Sequence, residues 1–262
     1  MGRVAAKTAT TFYEKCQLKP FQLSYPTPMN ILSIDIGGTH VKIRVPNDPE
    51  KRQFESGPTL TPRMMVDGVK KLCMGWKFDA VSIGIPAPIK NNRPLHDPAN
   101  LGKGWTDFDY DTDFGVPVKI LNDAAMQAVG SYKSGKMLFL GLGTGLGSCF
   151  IVGNQILPME LAHLPYKNGK SFEDYVGLRG LERLGKKKWR KSVADVIEIL
   201  SAALIPDEVV LGGGNSANLK ELPVGCRLGD NANAFEGGFR LWEKAWENAV
   251  PLYHDATPPA KS

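Results

Sequence analysis

Asp35-Ile-Gly-Gly-Thr-His40 places a carboxylate, two glycines and a hydroxyl within six residues. The apolar run Ile31–Ile34 precedes it and the alternating run Val41-Lys-Ile-Arg-Val45 follows, so the motif reads as a tight turn between two strands. Gly37 and Gly38 let the backbone bend and come close to a ligand, and their N–H groups with the Thr39 hydroxyl can cradle phosphate oxygens. Asp35 can hold the Mg²⁺ that accompanies a polyphosphate. Taken alone, the motif is equally an ordinary hairpin turn. Two further segments weigh against that. Val118-Lys-Ile-Leu-Asn-Asp123 delivers Asn122 and Asp123 at a strand end, with a helix pattern from Ala124 and one of the two acting as N-cap. Met137-Leu-Phe-Leu-Gly-Leu-Gly-Thr-Gly-Leu-Gly-Ser148 is a strand and a second glycine turn, with another strand from Cys149. It fails the dinucleotide spacing, because no third glycine falls in register and a strand follows it, and it lacks the Gly-Lys-Ser/Thr of a Walker A loop. Gly143, Thr144 and Gly145 are therefore expected to form a second phosphate-binding hairpin.

The elements that would position these residues read as strands 31–36, 41–45, 52–55, 79–85, 117–122, 137–142, 148–152 and 208–211. Helices are expected at 62–74, 123–134, near 171–185, at 192–204 and at 234–248. Strands at the front followed by βα alternation predict α/β layers. Helix 192–204 carries one apolar stripe, Val193, Val196, Ile197, Leu200 and Leu204. The last helix, with Phe235, Phe239, Leu241, Trp242 and Trp246, needs a large packing partner.

Two phosphate hairpins with an Asn-Asp pair between them resemble the sugar kinases of the actin-like ATPase superfamily, and within it the ROK family. Three more segments, in order, carry the resemblance. Asp97-Pro-Ala-Asn-Leu-Gly-Lys-Gly-Trp105 is similar to that family's sugar-binding Asn loop, Glu160-Leu-Ala-His163 to its Glu-x-Gly-His motif, and Leu211-Gly-Gly-Gly-Asn215 to its adenosine-side turn. Lys170-Ser-Phe-Glu-Asp-Tyr-Val-Gly177 and Leu184-Gly-Lys-Lys-Lys-Trp189 look most like polyphosphate glucokinases.

The resemblance implies a two-domain α/β fold of the actin-like ATPase (ribonuclease H-like) type with a cleft between the domains. A small domain 30–121 would be completed by helix 234–248 packing back on it, and 122–233 would form the larger domain. Residues 1–29 read as an N-terminal extension and 251–262 as a tail. The implied activity is transfer of a phosphoryl group to glucose or a similar hexose from inorganic polyphosphate, ATP or both, with Mg²⁺. The alternatives are a strictly ATP-dependent hexokinase and a non-catalytic sugar-sensing protein. Asp123 is implied as the general base. Asn100, Asn122, Asp123, Glu160, His163 and Glu173 are implied as the sugar set, and Gly212, Gly213, Gly214 and Asn215 as the nucleotide side. Lys42 reads either as a phosphate contact or as a plain surface lysine. Ala162 replaces the family glycine. No Cys lies between Cys149 and Cys226, so the structural zinc of many family members is not expected.

Bulk properties are those expected of a soluble globular protein. The 262-residue chain is 42% hydrophobic and 23% charged, with no membrane-spanning run and no secretory signal pattern. Four widely spaced cysteines, without a Cys-x-x-Cys pair, read as reduced cytoplasmic thiols. The net charge of +5 is concentrated between Arg179 and Lys191. That run, including Lys186, Lys187 and Lys188, is either a solvated helix face or an anion-binding strip. A polyphosphate chain suits it better than nucleic acid, since only Trp189 offers a stacking surface. The family resemblance also implies a homodimer.

Overall fold

The structure is a computed structural model and describes residues 29–249. The expected extension, save Met29, and the tail 251–262 lie outside the described residues. Within them the chain folds as mixed α/β with two five-stranded sheets.

The first sheet is built from β1 (Ile31–Ile36), β2 (His40–Arg44), β3 (Arg52–Glu55), β4 (Ala80–Ile85) and β7 (Val118–Asn122), in the order β3-β2-β1-β4-β7. β1, β4 and β7 are parallel, and β2 and β3 extend the sheet as antiparallel hairpin strands. One face packs Leu32, Ile34, Ile36, Ile83 and Ile85 against α1 (Pro62–Leu72), α2 (Tyr110–Phe114) and the loop carrying the fully buried Trp105. The other face is small and polar, with Ser33, Asp35, Ser82 and Gly84 at alternating positions. A short hairpin of β5 (Ile89–Lys90) and β6 (Arg93–Pro94) covers the free edge of β7. There the Asn92 side chain accepts from Ile120 N at 2.6 Å and donates to Val118 O at 2.8 Å.

The second sheet comprises β8 (Lys136–Leu142), β9 (Leu146–Val152), β10 (Gln155–Met159), β11 (Glu208–Gly212) and β12 (Cys226–Leu228), ordered β10-β9-β8-β11-β12. It is buried on both faces. Met137 and Phe139 face α3 (Asp123–Ser131), while Leu138, Leu140 and Leu142 face α4 (Glu173–Val176) and α5 (Leu178–Leu204). The apolar stripe expected on helix 192–204 is the core face of α5.

The boundaries of two helical regions depart from expectation. The region expected near 171–185 is α4 followed by the first half of α5, and the second expected helix starts at 186 rather than 192, so α5 is two helices joined at a break. Its break is at Gly185, where φ of 70° and ψ of 160° leave the helical region. The expected helix 234–248 stops early: α6 spans Asn233–Arg240, followed by a turn and a 3₁₀ segment, Lys244–Trp246. The aromatic side chains that suggested one long helix are claimed by different partners. Trp242 Nε1 donates to Ser82 Oγ at 2.9 Å, while Trp246 stacks edge-on against Tyr132 at 5.6 Å. A straight helix cannot serve both, and tertiary packing wins.

α6 lies against β1, β4 and α3 through glycines. A methyl at Gly238 would stand 2.1 Å from Ser33 Oγ. Methyls at Gly130 and Gly237 would stand 1.9 Å from Asn233 O and 1.8 Å from Met126 O, so α3 and α6 cross backbone to backbone.

Candidate active site

α3 brings the two sheets to one point. Its first turn is squeezed between β4 and β9: a methyl on Gly84 would lie 3.5 Å from Asp123 Cα, and one on Gly147 would lie 2.6 Å from Ala124 Cβ. Asn122, not Asp123, is the N-cap, and its Oδ1 accepts from Ala124 N at 3.0 Å and Ala125 N at 3.3 Å. Asn122 Nδ2 donates to Ala87 O at 3.3 Å, so the side chain proposed for sugar contact is largely committed to the fold. Asp123 is half-buried, and its Oδ1 shares the Ala124 N–H at 2.8 Å. Oδ2 accepts no hydrogen bond from the described residues. Burial raises the Asp123 pKa to about 6, with the charges of Asp35 and Glu160 adding to the rise and the Ala124 N–H opposing it. Those two charges therefore lie close enough to be felt, and the three acids belong to one site.

Asp35 ends β1 buried, with its pKa raised by burial and held down by Lys42. The two are cross-strand partners on β1 and β2, and Lys42 Nζ lies 3.6 Å from Asp35 Oδ2. Lys42 is thus a member of the site's edge. Ser56, which sequence reasoning passed over, pins the first turn: its hydroxyl donates to Gly37 O at 2.6 Å and its N–H to Thr39 O at 2.9 Å. His40, also unassigned, has Nδ1 3.1 Å from Thr39 Oγ1. Gly38 and Gly143 carry ordinary φ values, and a methyl on either would meet nothing within 4 Å. The fold does not require glycine at these two positions, whereas a bulky anion seated on the turn would.

The second turn is braced from behind. Leu178 N donates to Thr144 O at 3.1 Å, and a methyl on Gly177 would stand 2.8 Å from the same oxygen. Gly145 faces Glu173, whose Oε2 would be 2.3 Å from an added methyl, while Glu173 Oε1 accepts from Arg179 at 3.0 Å. On the far side Asn215 donates to Gly143 O at 2.8 Å, joining the expected nucleotide-side turn to the expected phosphate turn. Gly213, at φ 78°, is forced by the approach of Leu142 O to 2.5 Å of a would-be methyl, and Gly212 by the Phe139 ring, whereas Gly214 stands in open space.

On the expected sugar side Glu160 and His163 flank a short 3₁₀ turn, with Glu160 Oε2 3.8 Å from His163 Nε2. Burial raises the Glu160 pKa, the imidazoles of His163 and His96 lower it, and Glu173 raises it further. This ties His96, another loop residue left unassigned, to the same cluster; its one sequence signal was its place beside the Asn loop. That loop is closed by Asp97, whose Oδ1 accepts from Gly104 N and Trp105 N, both at 2.9 Å. Asn100 is exposed, with no hydrogen-bond partner among the described residues.

Lys186, Lys187 and Lys188 are exposed just past the Gly185 break and form no ion pair among the described residues. They are not part of the acid cluster. They lie on the element that begins at Leu178, the residue that braces Thr144, but beyond its break. The three arginines of the run are engaged: Arg179 with Glu173, Arg183 with Asp174 O, and Arg190 with Asn218 O. No group of three or more His, Cys, Asp or Glu with metal-binding geometry occurs among the described residues, and no described helix is long and apolar enough to cross a membrane.

Residues 31–158 match the model of the ROK family. The polyphosphate glucokinase of Mycobacterium leprae is 34% identical over 109 residues, covering 38% of this chain and 33% of that protein. The polyphosphate glucokinase of Mycobacterium tuberculosis is 28% identical over 158 residues, covering 54% of this chain and 58% of that protein. The aligned part of the chain thus spans from a third to little over half the length of these relatives. Among solved structures, the inorganic polyphosphate/ATP-glucomannokinase of Arthrobacter sp. strain KM superposes with a TM-score of 0.70 at 22% identity, covering 80% of this chain and 97% of that one. The fold is that of the two-domain actin-like ATPase sugar kinases.

Proposed function

We propose, starting from a ROK-family domain over residues 31–158, that this protein is a hexokinase-type phosphotransferase that makes glucose 6-phosphate from glucose, using inorganic polyphosphate and also ATP. The observation that carries the reading is Asp123: one half-buried carboxylate, with one oxygen uncommitted, between two turns that each hold a glycine, Gly38 and Gly143, at which an added methyl would meet nothing within 4 Å. Phosphoryl transfer needs positioning, charge neutralisation and a base, and each has a candidate.

In this reading the hexose lies between the Asn100 loop and the Glu160, His163 and Glu173 cluster, with its 6-hydroxyl at Asp123 Oδ2. The hydroxyl proton passes to Asp123 as its oxygen bonds to the terminal phosphorus. The bond from phosphorus to the bridging oxygen breaks, and a shortened polyphosphate or ADP leaves. Gly37, Gly38 and Thr39 hold donor phosphates from one side, and Gly143, Thr144 and Gly145 from the other. With Gly212 and Gly213 shaped by packing, Gly214 and Asn215 are the parts of the nucleotide turn open to a nucleoside. Lys186, Lys187 and Lys188 extend the cationic surface for a longer chain.

Mg²⁺ accompanying the donor would neutralise phosphate charge. The residues fit it: Asp35 is a buried oxygen donor beside a second carboxylate, and Mg²⁺ takes few protein ligands and keeps its waters. No zinc is needed in this scheme. We place the protein in the cytoplasm as a homodimer, in line with its free Cys73, Cys149 and Cys226 and its family.

The test is a donor panel with glucose: ATP, GTP and long-chain polyphosphate, each with Mg²⁺. Glucose 6-phosphate formation with polyphosphate is expected. Turnover with ATP and none with polyphosphate of any length leaves an ATP-dependent hexokinase. No turnover with any hexose or donor, together with a hexose-induced rise in melting temperature, leaves a sugar sensor.

A further inference from the structure

Between Glu160–His163 and Glu173 the chain makes an excursion that neither sheet supports. It leaves and returns antiparallel, with Phe172 N donating to Leu164 O at 3.0 Å and Tyr166 N to Lys170 O at 2.7 Å. Its tip is Asn168-Gly169, both in the left-handed region at φ 55° and 68°, closed by Lys170 N to Lys167 O at 3.1 Å. Its two ends carry the two halves of the expected sugar cluster, so its conformation sets their separation.

Tyr166 stands at the centre of the contacts that hold this excursion. Tyr166 meets Phe172 at 5.5 Å and Tyr175 at 4.8 Å between ring centroids, both edge-on. Its hydroxyl donates to Asp195 Oδ2, and Lys167 Nζ reaches the same oxygen at 2.6 Å and the Tyr166 hydroxyl at 2.7 Å. Asp195 sits on the second half of α5, past the Gly185 break, and its pKa is lowered chiefly by these two bonds. Asn168 Nδ2 adds a bond to Tyr175 OH at 3.1 Å. The strand-side end is tied separately, by Leu161 N to Ser148 Oγ at 3.1 Å. The helix-side end is tied by Ser171 N to Asp174 Oδ2 at 3.0 Å. Among the described residues, the side-chain hydrogen bonds that join the excursion to α5 are those of Tyr166 and Lys167 to Asp195, while Phe172 shares a core with the apolar face of α5.

We infer that Tyr166 and Asp195 are positioning residues for hexose binding: they staple the 164–172 excursion to α5 and so hold Glu160 and His163 in register with Glu173. This rests on the hexose reading of that cluster. Neither residue belongs to the phosphate turns, so losing the staple loosens the sugar side alone. An interaction of this kind acts on ground and transition states alike, and its loss raises KM while sparing kcat.

The test compares Tyr166→Phe and Asp195→Asn with wild type, using Glu198→Gln on the exposed part of the same helix as control. Steady-state kinetics should show hexose KM raised about tenfold, with kcat and donor KM within about twofold. Glu198→Gln should match wild type. Hydrogen exchange should quicken across 160–173 in both staple variants and not in β8 or β9. Unchanged hexose KM, or a common loss of kcat and both KM values, overturns the inference. So does a lowered melting temperature with unaltered kinetics, which is the signature of a purely structural pair. Should wild type phosphorylate no hexose, the functional reading fails, and exchange decides the staple separately: no local quickening in 160–173 refutes it.

Discussion

The Glu173 carboxylate lies over Gly145, with Oε2 2.3 Å from where a methyl on that glycine would be and Oε1 held by Arg179 at 3.0 Å. A residue of the expected sugar set therefore touches one of the two proposed phosphate turns directly, and glycine is the only residue that leaves room for the contact. Gly145→Ala displaces the end of a flexible side chain rather than backbone, so its cost in stability should be small. Its effect should fall on binding, with both hexose KM and donor KM raised several-fold. Gly143→Ala meets no neighbour within 4 Å and should weaken the donor while leaving hexose KM unchanged. Parallel changes in the two variants would break the proposed link between Glu173 and the turn.

Asp123 should show itself twice in pH. As a base it must be ionised, so kcat/KM should fall as pH drops below about 6, and this limb should be absent from whatever activity Asp123→Asn retains. Turnover of that variant should be lower by roughly 10²–10⁴-fold, with glucose still bound. Its folded pKa of about 6 also exceeds the ordinary 3.8, so folding takes up a proton between those values. The stability this contributes is full below pH 3.8 and lost as pH rises through about 6. Asp123→Asn should therefore melt higher than wild type at pH 7.5, with the gap closing near pH 4. A variant that melts lower at pH 7.5 contradicts this account of the buried charge.

Asn122 caps α3 with one side-chain oxygen shared by two amides. Asn122→Ala should cost about 1 kcal/mol of stability, within the roughly 0.5–2 kcal/mol typical of lost caps, measurable by denaturant titration. Asn122→Ser keeps a capping oxygen and should recover most of that. If Ser restores stability but not hexose KM, the amide nitrogen also serves the sugar.

Replacing Lys186, Lys187 and Lys188 together by Gln should raise polyphosphate KM far more than ATP KM. The polyphosphate KM of the wild type should also climb more steeply with added salt, because several screened contacts act together. All three are exposed and free of ion pairs among the described residues, so the fold loses little by their neutralisation. Equal effects on both donors would reduce them to a solvated face.

The hydrophobic periodicity placed nearly every long element, because strands such as β1 and β4 are buried along their whole length and α5 has a single apolar stripe. Three short hairpins were not read: β5–β6, β9–β10 and the 164–172 excursion. Each turns through Asn91-Asn92, Gly153-Asn154 or Asn168-Gly169, pairs with positive φ at both residues. That signal was in the chain, but the flanking strands are too short to show alternation. The site divides in the same way. Asp35, Asp123 and the glycine turns stand where motif spacing put them. Ser56 is joined to the first turn by a hydrogen bond across the fold that nothing in its local sequence announces, and His96, signalled only by its place beside the Asn loop, acts on Glu160 through its charge.

Where α3 crosses α6, ordinary helix pairs would mesh like gears, ridge into groove. Here the teeth are missing: Gly130 and Gly237 leave bare backbone against bare backbone. Mid-helix glycine sacrifices about 1 kcal/mol of helix propensity at each position. The return is closeness: the carbonyls of Asn233 and Met126 occupy the space that a side chain would need. A tooth restored there would have no groove to enter: it would meet a carbonyl oxygen at 1.9 or 1.8 Å and wedge the pair apart, on the very helix that begins at Asp123.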